Sequence, residues 1–165
     1  MSLTLGVDPR TREGKLQEPD ARAYVTTAAV RVEDHREATR LMLAGHDFHS
    51  VALVEEAVTL PTVPTSAAAS VRFVSFGPER LELTVTSDAP GLLVIGEAYY
   101  PGWTATVDDV PARCIPANAW MRAVPVPAGS SRVVLRFRSR MLLAGALVSC
   151  ATVLLLLLYR LLTRP

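Results

Sequence analysis

The sequence predicts a mainly β chain: a jelly-roll-like β-sandwich with one short helix, followed by a single C-terminal transmembrane helix. Three observations predict it. From Val71 to Arg138 short runs of alternating apolar and polar residues are broken by turn residues roughly every 8 to 12 positions, the spacing of sandwich strands. A helix signature stands at Asp34 to Gly45. Met141 to Tyr159 is an uncharged apolar run. The chain divides accordingly into a polar lead-in or linker (1–20), a sandwich domain (21–139), a transmembrane helix (141–162) and a tail (163–165).

Ala21 to Val32 is rich in β-formers and reads as one strand. Asp34 and Glu37 form a capping-box pattern, Ala38, Leu41 and Met42 make the buried stripe, and Gly45 supplies the left-handed stop. Ser50 to Glu55 is a further strand, and the Pro- and Ala-rich segment from Leu60 to Ser70 is a connector. Val71 to Phe76 alternates and stops at Gly77-Pro78. Arg80 to Thr86 puts Leu81, Leu83 and Val85 inward. Leu92 to Ala98 is almost wholly apolar, which suits a central strand. Trp103 to Val107 turns at Asp108-Asp109 into Val110-Pro111, and Met121 to Val126 and Ser131 to Arg138 complete the set.

Met141 to Leu162 would form about 33 Å of helix, enough for a hydrocarbon core. Arg160 can snorkel from its end, and Tyr159 sits where an interfacial aromatic belongs. Five consecutive leucines, Leu154 to Leu158, leave no polar face for a buried soluble helix. Orientation does not follow from charge. Counting Arg122, Arg132, Arg136, Arg138 and Arg140 against Arg160 and Arg164 would put the domain in the cytoplasm. Arg132, Arg136 and Arg138, however, alternate with Val133, Leu135 and Phe137 as the solvent face of a strand would. Met1 to Glu18 has no apolar stretch of signal-peptide length, so the chain is expected to be either tail-anchored or the last piece of a longer multi-spanning polypeptide.

A formal net charge of +1 and the lack of an aromatic-basic stripe argue against nucleic acid as a partner. Cys150 lies in the apolar run and Cys114 on the strand side, so no disulfide is expected. No P-loop, dinucleotide fingerprint or Ser/His/Asp arrangement is present, and no catalytic residue, metal ligand set or cofactor is assigned. His46 and His49 lack a third ligand at useful spacing and read as loop residues. Asp108-Asp109 could be a carboxylate pair, but hairpin turns favour Asp for its short side chain and tolerance of positive φ, and the turn is the preferred reading. The aromatic group Tyr99, Tyr100, Trp103 and Trp120 has two readings: a stacking platform for sugar rings, with Glu97 and Asn118 as polar contacts, or core packing around the Pro101-Gly102 turn.

The run Glu97-Ala98-Tyr99-Tyr100-Pro101-Gly102-Trp103, with Val107-Asp108, Val110-Pro111, Ala117-Asn118, Arg122-Ala123-Val124, Val126-Pro127-Ala128-Gly129 and Val133 to Phe137, resembles the C-terminal end of the YfhO family. A looser likeness extends upstream through Arg22-Ala23-Tyr24, Asp47-Phe48 and Val51 to Glu55. The chain departs from the family pattern at Asp109, where glycine is usual, and at Arg138-Ser139-Arg140, where a Tyr-x-Pro-like end is usual. Members are polytopic bacterial membrane proteins similar to glycosyltransferases that use polyprenyl-phosphate sugars, with the catalytic acid in a part not present here.

The resemblance therefore implies an accessory extracytoplasmic sandwich plus last membrane helix, not catalytic by itself, in cell-surface glycan or polymer glycosylation at the bacterial cell membrane. The partners expected on that basis are the lipid bilayer, a glycan or lipid-linked sugar, and a polytopic membrane partner or further N-terminal region. The alternative is a tail-anchored sandwich module that binds glycan or protein.

Overall fold

The computed structural model describes residues 4–7, 14–17, 22–58, 60 and 68–162. Of the expected lead-in, Thr4–Val7 (β1) and Gly14–Gln17 (β2) form an antiparallel pair instead of irregular chain. Residues 61–67 of the connector and 163–165 of the tail lie outside the described residues.

The body holds two sheets. Ala69–Phe76 (β6), Arg80–Ser87 (β7), Trp103–Val107 (β9), Val110–Ala112 (β10) and Gly129–Phe137 (β13) form the first, in the order β10-β9-β13-β7-β6. Ala23–Thr26 (β3), Ala28–Arg31 (β4), Val51–Val54 (β5), Gly91–Ala98 (β8), Ile115–Ala117 (β11) and Met121–Val126 (β12) form the second, in the order β3-β8-β12-β11-β5-β4. Leu81, Leu83 and Val85 of β7 face inward as their alternation predicts. With Val133 and Leu135 they pack against Leu93, Ile95, Val124 and Val126 of the other sheet. That is the sandwich core.

The jelly-roll expectation needs correcting, because such a fold is antiparallel throughout. Here β4 and β5 run parallel, Ala28 opposite Val51 and Arg31 opposite Val54. A parallel pair needs a crossover, and the helix His35–Leu43 (α1) supplies it. The Asp34 side chain accepts from the Glu37 amide at 2.8 Å and caps α1, while the Glu37 carboxylate accepts from the Glu33 amide at 2.7 Å. Ala38 is buried against Val32 and Leu53, with Leu41 and Met42 alongside.

The expected single strand from Ala21 to Val32 is broken at Thr27, and its halves occupy opposite edges of the second sheet. A flat sheet of that order would separate those edges by about 24 Å, at roughly 4.8 Å per strand. Residues 26 and 28 can be at most about 7 Å apart. The sheet must therefore curl until its edges nearly meet. The Thr26 hydroxyl closes the gap by donating to the Ser50 carbonyl at 2.6 Å.

Curling creates a second core inside the curve, from Leu92, Val94, Ala52, Val54, Ile115, Ala117 and Ala123, with Tyr24 and Phe48 packed against it. Strand β8 is thus buried on both faces: Leu93 and Ile95 enter one core, Leu92 and Val94 the other. This is why its sequence is continuously apolar.

After Phe137 only Arg138 and Ser139 precede the helix Arg140–Leu162 (α2). The helix expected over 141–162 therefore forms, but its crossing of a membrane is not shown. Among the described residues no helix is long and apolar enough to cross a membrane. The described large apolar side chains of α2, from Met141 to Leu162, are exposed and cover no part of either core.

Candidate functional site

Of the residues singled out in the sequence, Trp103 and Glu97 stand at the end of the sandwich that leads into α2, whereas Asn118 lies inside the curled sheet and Asp108-Asp109 turn at the far end of β9. Alternation along β8 carries Leu93 and Ile95 into the sandwich core and leaves Glu97 on the same face at the strand's end. Alternation along β12 does the same for Arg122, ahead of Val124 and Val126. A basic residue is thereby placed where a core residue would stand.

The Arg122 side chain is 5% exposed, and its guanidinium carbon lies 4.0 Å from the centroid of the Trp103 ring. Trp103 itself is half-buried and tilted against Phe137, with ring centroids 5.4 Å apart. The Arg122 Nε donates to the Glu97 carbonyl at 3.4 Å, and Nη2 lies 3.8 Å from its carboxylate. Nη1 is buried without a hydrogen-bond partner. Burial lowers the guanidinium's pKa from its ordinary value, opposed by the nearby Cys114 and Glu97. The half-buried Cys114 thiol is pushed up to about 11 by desolvation, and it is free, as is Cys150. Glu97 is shared with Arg22, at 3.8 Å, and Arg22 lies over the Phe76 ring at 4.6 Å.

Asn118 is in a different place and has a different task. It is fully buried with φ of 47°. Its amide donates to the Leu53 carbonyl at 2.7 Å, and its Oδ1 accepts from the Leu53 amide at 2.9 Å. The side chain thus imitates a strand and extends the β11–β5 pairing, which otherwise joins only Ala117 to Val54. Nδ2 donates to the Tyr24 hydroxyl at 2.9 Å, which donates to the Phe48 carbonyl at 3.0 Å. This network spans the inside of the curled sheet. It uses up the polar atoms that a sugar contact would require.

Tyr99 is half-buried, and desolvation raises its phenol's pKa. Its amide donates to the Trp120 carbonyl at 2.7 Å. Tyr100 and Trp120 remain exposed, at 66% and 49%. The turn between Tyr100 and Trp103 is pinned to the entry of α2: the Arg138 amide donates to the Gly102 carbonyl at 3.0 Å. Gly102 has φ of +119°, and a Cβ there would stand 2.7 Å from the Arg138 carbonyl oxygen, so only glycine fits.

The structure therefore divides the six candidates. Trp103 and Glu97 meet around Arg122, Asn118 joins Tyr24, Tyr99 is half-buried with its amide on the Trp120 carbonyl, and Tyr100 and Trp120 face outward. Arg122 was missed as a site residue, although its alternation with Val124 and Val126 in Met121–Val126 was a usable signal. Asp108 and Asp109 form the hairpin turn, with φ of 49° and 64°. His46 contacts the Val51 carbonyl at 2.9 Å, and His49 lies against Tyr24 and Phe48. Among the described residues no three His, Cys, Asp or Glu side chains are grouped to hold a metal ion.

A family model described as bacterial membrane protein YfhO matches residues 49–149, more than half of the chain. The chain belongs to the YfhO family. The match runs from the residues just before β5 into α2 and takes in the Arg122–Trp103 centre, Asn118 and the aromatic turn. Membership in a family of bacterial membrane proteins associates the chain with a membrane. No curated protein and no solved structure matches the chain.

Proposed function

We propose that this chain is the accessory extracytoplasmic β-sandwich and last membrane helix of a YfhO-like membrane glycosyltransferase, not catalytic by itself. On this reading it guides a glycan or polymer acceptor, or covers a polytopic partner, at the outer surface of the bacterial cell membrane. The observation that carries the reading is the joint between β13 and α2. Only Arg138 and Ser139 separate the last strand from the helix, and the Gly102 carbonyl holds Arg138 in place. A domain tied so closely to its helix shares the helix's surroundings.

The crossing itself is part of the proposal. Helix α2 has 23 residues, about 34 Å at 1.5 Å per residue against a hydrocarbon core of about 30 Å. Exposed leucines and valines along its length require lipid or a partner helix to cover them.

The orientation test uses Asp109→Cys in a Cys114→Ser/Cys150→Ser background, because Asp109 is at an exposed hairpin with its side chain 84% accessible. An impermeant thiol reagent applied to intact cells should label the introduced cysteine. Labelling only after lysis would put the sandwich on the cytoplasmic side and overturn the reading.

A second reading has its own support in the exposure of Tyr100 and Trp120: a sugar ring stacked on one or both rings. Tyr100→Ala/Trp120→Ala should then abolish retention on a glycan column while the far-UV spectrum stays unchanged. Retention equal to wild type would exclude the platform.

A further inference from the structure

The first sheet has one face in the sandwich core and one outside, and the outer face is strongly basic. Arg132 and Arg136 of β13, Arg80 of β7 and Arg72 of β6 are exposed outside the core, and Arg138 continues the alternation of β13. Glu82 and Asp109 are the acidic groups that meet them. Glu82 accepts from Arg132 at 2.7 Å and from Arg80 at 2.9 Å, and Asp109 lies 3.7 Å from Arg132. These contacts occupy Arg132 and Arg80. Among the described residues Arg136 and Arg138 have no carboxylate partner.

Between β9, β10 and β13 this face forms a groove of about 480 Å³ with Val134 at its base. Thr104 stands opposite Arg136 and donates its hydroxyl to the Arg136 carbonyl at 3.1 Å, while Thr106, opposite Val134, adds a hydroxyl to the lining beside Arg136 and Arg138. Hydroxyls and guanidiniums around an open concavity suit the oxygens of a phosphodiester. The groove also has a direction. Strand β13 runs toward α2, so Arg136 and Arg138 are at its helix end, and Arg138 is two residues, at most about 7 Å, from the first helical residue, Arg140.

We propose that this groove, through Arg136, Arg138 and Thr106, binds the phosphate of an anionic phospholipid headgroup in the leaflet that α2 enters. Location at a bilayer rests on the reading given under Proposed function, whereas phosphate recognition rests on the groove. Charge complementarity selects an anion, and continuity with α2 favours a lipid over a diffusible one. Basic residues next to a membrane helix gain from anionic headgroups only within about a Debye length of them. Binding there would press the outer face of the first sheet toward the headgroups and restrict the tilt of the sandwich on its two-residue joint.

The test uses the full chain, isotopically labelled, in a non-ionic maltoside detergent. It is titrated with dihexanoyl phosphatidylglycerol, dihexanoyl phosphatidylcholine and inorganic phosphate in parallel. Saturable amide shifts are expected at 104–106 and 134–138 with phosphatidylglycerol alone. Arg136→Gln/Arg138→Gln should weaken that binding at least about ten-fold, each lost guanidinium giving up a charge-assisted hydrogen bond to the phosphate, with distant amides unmoved.

Equal shifts with phosphatidylcholine, or an unchanged affinity in the double variant, would overturn the proposal. Inorganic phosphate binding as tightly as phosphatidylglycerol would overturn the lipid as occupant. Because the measurement needs no bilayer, its failure leaves the membrane reading standing. Cytoplasmic labelling of Asp109→Cys would sink that reading without touching the groove.

Discussion

The guanidinium of Arg122 stacks on the Trp103 ring at 4.0 Å and so joins the two sheets at the α2 end of the sandwich, β12 supplying the cation and β9 the ring. A buried arginine with an unpartnered Nη1 is costly to desolvate, and the aromatic face and Glu97 recover part of that cost. Arg122→Met keeps the stem's volume and its contact with Trp103 while removing the charge. It should change stability by less than about 1.5 kcal/mol. Arg122→Ala leaves a cavity beside Trp103 and Glu97 paired with Arg22 alone, and should cost about 3 kcal/mol. Urea unfolding of the two variants checks the order. Equal losses would mean that the charge, not the packing, is what the site needs.

Asn118 makes a parallel prediction inside the curled sheet. Asn118→Ala orphans the Leu53 amide and the Asn118 contact of the Tyr24 hydroxyl, and places a Cβ-bearing residue without a local hydrogen bond at φ of 47°. A loss of about 3 kcal/mol is expected. Asn118→Gly removes the backbone strain but not the orphaned groups, so it should lose about 1 kcal/mol less. Amide exchange at Leu53 should quicken in both variants.

At the hairpin, Asp109 takes a positive φ that glycine adopts without cost. Asp108 must stay, because its carboxylate accepts from the Arg132 amide at 2.8 Å. Asp109→Gly gives up only an exposed 3.7 Å ion pair, worth little. The variant should therefore be more stable by about 0.5–1 kcal/mol, visible as a rise of a few degrees in Tm.

Cys114 offers a pH test. Burial pushes its thiol pKa up from the ordinary value to about 11. A thiol shifted this way is stabilised in its neutral form, so its contribution to stability is full below about pH 9 and is lost as pH rises toward 11. In a Cys150→Ser background at pH 8, iodoacetamide should modify Cys114 on the order of a hundred-fold more slowly in the folded chain than in urea, because burial keeps the thiol protonated. Comparable rates would mean that the site is open to water.

Much of the sandwich was legible because it obeys local periodicity. Strand β7 alternates cleanly, the apolar run of β8 marks a centre, and Asp34 with Gly45 bounds α1. The short β11, Ile115–Ala117, was not legible: three residues carry too little pattern, and its pairing to β5 depends on the Asn118 side chain. The break at Thr27 was hidden for a related reason. Both halves of Ala21 to Val32 are good strand formers, and only the sheet they join shows that they lie at opposite edges.

The candidate site divides along the same line. By itself the sequence determined a mainly β domain with an apolar C-terminal helix, a glycine-dependent aromatic turn and the family likeness, because each is written in neighbouring residues. Tertiary structure decided the rest. It sent Asn118 into the core and turned Trp103 onto Arg122. It also left Tyr100 and Trp120 outside and set Arg136 beside Thr104 in a groove at the foot of α2. Those pairings join residues on separate strands, and strand register, which no local pattern contains, selects which side chains meet.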